Sequence, residues 1–277
     1  MNFFFLLFKF LAFSLPKGLG DLLARGFARF SYTFIYRKGI KNHLSNLKEI
    51  FKDKTEKELL YISKKAGINL SLCLYEQLLM GGFLNKRNFR KFLKGENIYN
   101  LYKAFKERKG VVILTGHLGN YEWGAALMCY LGFPVAGISI EYRTELIKNI
   151  YEKNRKKVGM KVFYVKKSFA NLVRFLKEGG VLALAGDRRF NGSPIKVKMF
   201  GKEIEIPKGA FFLASKLGSP IIPAFSVREK DKLYHVYFEE PYKIKEGEIE
   251  EGAKRYVEIF EKYIRKYPDQ WFLFEKL

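Results

Sequence analysis

The sequence predicts an α/β fold: a mixed, largely parallel sheet flanked by helices, with an N-terminal membrane-associated helical segment. Three observations carry that prediction. From Gly110 onward, short apolar runs rich in β-branched residues alternate with helical stretches, the pattern of parallel strands joined by crossover helices. Before Gly110 the apolar spacing is helical. The first 50 residues also combine a dense aromatic and aliphatic run with eight Lys or Arg against two acids.

Composition narrows the class. The chain has 277 residues, 48% hydrophobic and 17% aromatic, so it can bury a core that offsets its conformational entropy. Two cysteines, Cys73 and Cys129, cannot staple a fold of this size. No run of ~18 apolar residues occurs, so no segment spans a bilayer as an unbroken apolar helix. The formal net charge of +23 points to an anionic partner: nucleic acid, an acidic protein or a phosphate-rich membrane surface.

Residues 1–16 form an apolar run interrupted by Lys9, with no basic residue before it and no small-x-small cleavage site after it. After Pro16-Lys17-Gly18, a second segment repeats Leu19, Leu22, Leu23, Phe27, Phe30 and Phe34 at helical spacing. An aromatic helix pair with flanking cations fits a membrane interface, so residues 1–40 are expected to attach to one. Residues 41–277 form the α/β domain, with a helical part (41–109) and a sheet core (110–277). Thr55-x-x-Glu58 is a capping box that opens a long helix ending at Gly81-Gly82. Lys86, Arg87, Arg90, Lys91 and Lys94 follow, spaced to share one helical face.

In the core, Val111–Leu114 reads as a buried strand and Tyr121–Tyr130 as a helix. Pro134–Ile140 is a strand, followed by a helix from about Thr144 to Val158 and a strand at Lys161–Val165. Ser168 is expected to cap a helix stopping at Gly179-Gly180, before the strand Val181–Ala185. Pro207–Leu217 is a helix. Pro220–Val227 and Leu233–Glu239 form an antiparallel hairpin, and Glu248–Lys266 is an amphipathic helix.

Several enzyme signatures are absent. There is no Gly-x-Ser-x-Gly elbow, no phosphate loop of the Gly-x-x-x-x-Gly-Lys type, no His-Glu-x-x-His and no Cys-x-x-Cys. Three histidines (His43, His117, His235) without a cysteine pair do not make a structural zinc site, and no metal is expected. His117 stands out by position. It follows the strand Val111–Leu114, and ligands of open α/β sheets bind outside the carboxyl ends of the strands. Gly116 and Gly119 allow a tight turn around it. Glu122 lies five residues on and could accept the His117 Nδ1–H, leaving Nε2 as a base. Asn120 is placed to cap the helix that follows. A histidine backed by an acid, with no nucleophile beside it, suits deprotonation of a substrate hydroxyl. The residues alone also admit a histidine satisfied within its loop, with Glu122 an ordinary first-turn acid.

Gly116-His117-Leu118-Gly119-Asn120-Tyr121-Glu122-Trp123 resembles the His-x-Gly-Asn-Trp-Glu signature of the late lipid A acyltransferases of the bacterial inner membrane. The resemblance spans nearly the whole chain. Lys41-Asn-His-Leu-Ser-Asn-Leu-Lys48 resembles the family's Asn-Leu segment, and Tyr142-Arg143 its Tyr-Arg-Pro, here with Thr144 in place of proline. Ala185-Gly186-Asp187 through Met199-Phe200-Gly201 resembles its Asp … Phe-Phe-Gly stretch. Pro207-x-Gly209 through Gly218-Ser-Pro220 resembles the helix that follows. Tyr267-Pro268-Asp269-Gln270-Trp271 resembles its Pro-Glu-Gln-Trp.

This resemblance implies a glycerolipid-acyltransferase-like core. It also implies transfer of a fatty acyl chain from acyl carrier protein thioester to a hydroxyl of a lipid A precursor. The acyl thioester is a co-substrate and no cofactor is implied. His117 would be the general base and Glu122 its orienting acid. Arg143, Asp187, Arg188 and Asn120 would contact substrate, the arginines suiting phosphate and Asp187 holding Arg143 or His117 in place. The implied location is the cytoplasmic face of the bacterial inner membrane, where the anionic lipid surface is the second partner. Nucleic acid is not expected, because no RNP-type, zinc-finger or helix-turn-helix signature occurs. Another glycolipid or phospholipid acceptor, of the phosphatidylinositol mannoside or lysophospholipid type, is the alternative.

Overall fold

The structure is a computed structural model that describes residues 17–34, 37–139, 144–188 and 194–276. Three helices come first: α1 (Lys17–Phe34), α2 (Arg37–Ile50) and α3 (Glu56–Phe83). The rest alternates as β1 (Leu93–Glu96), α4 (Ile98–Lys106), β2 (Val111–Thr115), α5 (Tyr121–Tyr130), β3 (Val135–Ser139), α6 (Glu145–Lys157), β4 (Lys161–Tyr164), α7 (Val165–Lys177) and β5 (Val181–Ala185). A hairpin, β6 (Pro194–Met199) and β7 (Lys202–Pro207), precedes α8 (Gly209–Leu217), β8 (Ile221–Arg228), β9 (Tyr234–Phe238) and α9 (Ile249–Lys266).

Seven strands form one sheet in the order β1-β9-β8-β2-β5-β3-β4. Every pairing in it is parallel except β8 with β9. The expected mixed, largely parallel sheet is therefore what the chain builds. Both faces are covered, which is why the central strands read as continuous apolar runs. Val112, Leu114 and Leu182 pack with Phe211 of α8 and Tyr256 of α9. Val111, Ile113 and Val181 point the other way, into a cluster with Trp123 and Leu127 of α5.

The expected capping box opens α3: Thr55 N–H donates to Glu58 Oε2 (2.8 Å), and Glu58 N–H to Thr55 Oγ1 (3.4 Å). Three elements differ from expectation. The cations from Lys86 to Lys94 do not line one helix, because Phe89–Lys91 is a single 3-10 turn and β1 begins at Leu93. Phe89 and Leu93 are buried there, and tertiary packing overrides the helical spacing. The helix assigned to Ser168 begins at Val165, directly after β4. The β6–β7 hairpin is an element the expectation lacks, although Lys and Glu alternate there with Ile and Val at the period of a half-buried strand.

Helix α1 lies on α3 through small residues. Ala24 is fully buried, and a Cβ on Gly20 would fall 1.8 Å from the Tyr75 hydroxyl. Its other face leaves Leu19, Leu22, Leu23 and Phe27 exposed. Among the described residues no helix is long and apolar enough to cross a membrane. The apolar run 1–16 lies outside the described residues.

Helix α2 holds the chain near its C-terminal residues. Asn46 Nδ2 donates to the carbonyls of Leu273 (3.4 Å) and Glu275 (2.7 Å), and the His43 ring sits 4.8 Å from that of Phe274. Burial lowers the His43 pKa from 6.5 to about 4, against a smaller opposing contribution from the Trp271 backbone. The unfolded chain thus takes up a proton before the folded one does. Stability is fully present above pH 6.5 and falls as pH drops from there through about 4, by ~3 kcal/mol from this group. Urea midpoints measured across that interval should decline, and the decline should flatten in His43→Gln.

Candidate active site

The parallel register of β2 and β5 builds the site. Thr115 pairs with Ala185 at the carboxyl ends, so His117 and Asp187 each sit two residues beyond, on adjacent strands. The chain leaves β2 toward β3 on one side and leaves β5 toward β8 on the other. That reversal opens the crevice where ligands of such sheets bind. His117 Nδ1 lies 2.7 Å from Asp187 Oδ1, and the His117 backbone N–H donates to Oδ2 of the same carboxylate (2.9 Å).

Asp187 is fully buried at its side chain, whereas a quarter of the His117 side chain is exposed. Burial alone would raise the Asp187 pKa. The His117 charge, the two hydrogen bonds from His117 and the Arg188 charge outweigh it and hold the carboxyl below its ordinary range. An ionised carboxylate only accepts, so Nδ1 carries a proton, and in the neutral form of the ring the lone pair then sits on Nε2. Such an imidazole can take a proton from a bound hydroxyl.

The loop carrying His117 is held from several sides. Gly119 has φ +58°, and a Cβ there would lie 2.0 Å from the Ser226 carbonyl. A Cβ on Gly116 would meet the Phe260 ring at 2.3 Å. Gly119 N–H donates to the Gln270 carbonyl (2.8 Å), and Phe272 N–H to the His117 carbonyl (2.9 Å). The Tyr256 hydroxyl donates to the Thr115 carbonyl (2.7 Å). The buried Trp271 belongs to the core, while its neighbours' backbone fastens the histidine loop.

The other expected site residues separate. Glu122 does not reach His117: it is buried in an ion pair with Arg155 of α6, accepting from Nε at 3.0 Å and Nη2 at 2.5 Å. This corrects the expected pairing, and the reason is geometric. Glu122 lies inside α5 facing α6, whereas the register puts Asp187 beside the ring. Asp187 is the acid in contact with His117. Asn120 caps α5, accepting from Trp123 N–H (3.2 Å), and donates to buried Glu76 (3.3 Å). Fully buried and bonded at both ends of its amide, it does not face the crevice as a substrate contact. Arg188 donates to the Phe272 carbonyl (2.8 Å), beside Asp187. Arg143 lies outside the described residues. Arg155 and Glu76 were not anticipated, although a lone acid within the apolar run Leu72–Met80 was a visible signal.

An apolar cavity of about 20 Å³ opens between β2, β8 and α5, lined by Ile113, Thr115, Tyr121, Ala183, Ala224 and Phe238. It has room for about one water molecule, and neither His117 nor Asp187 lines it.

Two substitutions test this construction. Gly119→Ala should lower unfolding free energy by at least ~1–2 kcal/mol, because alanine resists a positive φ and its methyl meets a carbonyl. Glu122→Gln should cost ~3 kcal/mol, because it strips Arg155 of a buried carboxylate. Urea unfolding monitored by tryptophan fluorescence measures both.

No individually curated protein matches the chain. The family model for bacterial lipid A biosynthesis acyltransferases matches residues 1–277, the entire sequence. The dyad at the crevice and the coverage of that match agree: this chain belongs to the bacterial lipid A biosynthesis acyltransferase family and is an acyltransferase.

Proposed function

We propose that the protein transfers a fatty acyl chain from an acyl carrier protein thioester to a hydroxyl of a lipid A precursor, with His117 as general base and Asp187 as its orienting acid. The His117–Asp187 hydrogen bond at the carboxyl edge of the sheet carries this reading. Nε2 takes the hydroxyl proton as the oxygen attacks the thioester carbonyl. Asp187 stabilises the resulting imidazolium. The tetrahedral intermediate collapses, the C–S bond breaks, and the proton passes to the leaving thiolate. Arg143 and Arg188 are the candidate cations for acceptor phosphate, Arg188 already tied to Phe272 through one of its nitrogens.

Attachment to the cytoplasmic face of the inner membrane follows from the N-terminal segment 1–40, with residues 41–277 as the catalytic part. The exposed Leu19, Leu22, Leu23 and Phe27 form an apolar face on α1, and the basic chain suits an anionic leaflet. The same charge of +23 would speed encounter with an acidic carrier protein.

Purified protein incubated with acyl carrier protein thioester and a lipid A precursor should yield a product heavier by one acyl chain, by mass spectrometry. His117→Ala and Asp187→Asn should each lower kcat by ~10² or more with the fold intact. Wild-type turnover in His117→Ala would end the base assignment. Acylation of a different lipid in a mixed extract would redirect the acceptor. Leu22→Glu with Phe27→Glu should reduce cosedimentation with anionic vesicles while activity on detergent-dispersed substrate persists.

A further inference from the structure

Helix α3 runs beneath the histidine loop and carries a carboxylate the reaction does not use. Glu76 is 1% exposed, in the apolar stretch between Leu72 and Met80. Burying a charge costs several kcal/mol unless hydrogen bonds replace its water, and apolar residues of like volume often serve stability as well. Here three donors replace water. Arg228 Nη2 donates to Oε1, while the Tyr234 hydroxyl (2.7 Å) and Asn120 Nδ2 (3.3 Å) donate to Oε2. The Glu76 carbonyl also accepts from Trp123 Nε1 at 3.0 Å.

Two routes lead from this carboxylate to His117. The first is short: Asn120 ends the histidine loop and caps α5 through its Oδ1. The second runs through Arg228, whose guanidinium is fixed by Glu76. Gln270 brackets the Arg228 backbone, accepting its N–H (2.8 Å) and donating to its carbonyl (2.9 Å). The Gln270 carbonyl then receives Gly119 N–H, and two residues on Phe272 N–H meets the His117 carbonyl. One carboxylate, each oxygen directed to a different element, therefore ties both the end of β8 and the start of α5 to the loop.

We propose that Glu76 is a positioning residue for the acyl-transfer reaction: it fixes the His117 loop so that the imidazole stays in line with Asp187 and the crevice. This rests on His117 being the base. Glutamine at 76 would turn an N–H₂ group toward donors and leave the guanidinium without its counter-charge. Aspartate keeps the charge but draws it back by one methylene.

The test uses full-length protein in detergent, as wild type, Glu76→Gln, Glu76→Asp and His117→Ala. Steady-state kinetics with carrier-protein thioester, thermal melts and ¹⁵N-histidine NMR are recorded on each. The chain has three histidines, so the His117 signal is assigned by its loss in His117→Ala. Glu76→Gln and Glu76→Asp should lower kcat roughly 10–100-fold with KM within about twofold, as small misplacements of a reacting group do. The His117 Nδ1–H resonance should shift or broaden in both variants, while the His43 and His235 signals hold. A lower melting temperature with unchanged kcat and unchanged His117 resonance would overturn the proposal and leave Glu76 purely structural. If Glu76→Gln does not fold, Glu76→Asp gives the same two readouts. Activity surviving in His117→Ala would defeat the base assignment instead, and the His117 resonance would still report whether Glu76 holds the loop.

Discussion

Parallel pairing of β2 with β5 is the constraint on which the site depends. It aligns Val111–Thr115 with Val181–Ala185 residue for residue, so two side chains seventy positions apart leave the sheet side by side. Both faces here are buried, so a slip of one residue would exchange the side chains that fill the α5 side with those that fill the α8–α9 side. The side-chain packing that fixes the core therefore also fixes the distance between imidazole and carboxylate. Stability and chemistry share one register.

Around that pair, the molecule trades polar burial for rigidity. The Glu122–Arg155 and Glu76–Arg228 pairs both lie under the histidine loop, each with its carboxylate almost wholly out of water. Neither touches the crevice directly through the contacts described. They join α3, α5, α6 and β8 into one support, and Asn154 adds to it by donating to the Gln77 and Leu78 carbonyls of α3. Preorganisation of this kind holds the His117 imidazole in one orientation beside Asp187.

Much of this was legible in the sequence, and the gaps have physical causes. The buried strands and α5 could be read from period and length, because consecutive apolar residues leave few other options. His117 stood out because strand ends are where sheets bind ligands. The partner acid was harder. Glu122 is near His117 in sequence, Asp187 in space, and only the strand order separates them. Strand order is set by long-range packing that no local pattern records. The β6–β7 hairpin does carry a readable period, since Ile195, Val197 and Met199 alternate with lysines as in a strand with one face buried. Glu76 shows as a lone acid in an apolar stretch of α3, but its partners Arg228, Tyr234 and Asn120 come from elements that only the fold brings to it.

Gln270 and Phe272 close the histidine loop from 150 or more positions downstream. During biosynthesis His117 therefore cannot reach its final geometry when its own segment leaves the ribosome. At ~5–20 residues per second, it waits on the order of ten seconds or more for the C-terminal segment that fastens it. The N-terminal helices, with their apolar face, emerge long before. The acyltransferase site is thus completed late, after the N-terminal helices and their exposed apolar side chains have left the ribosome.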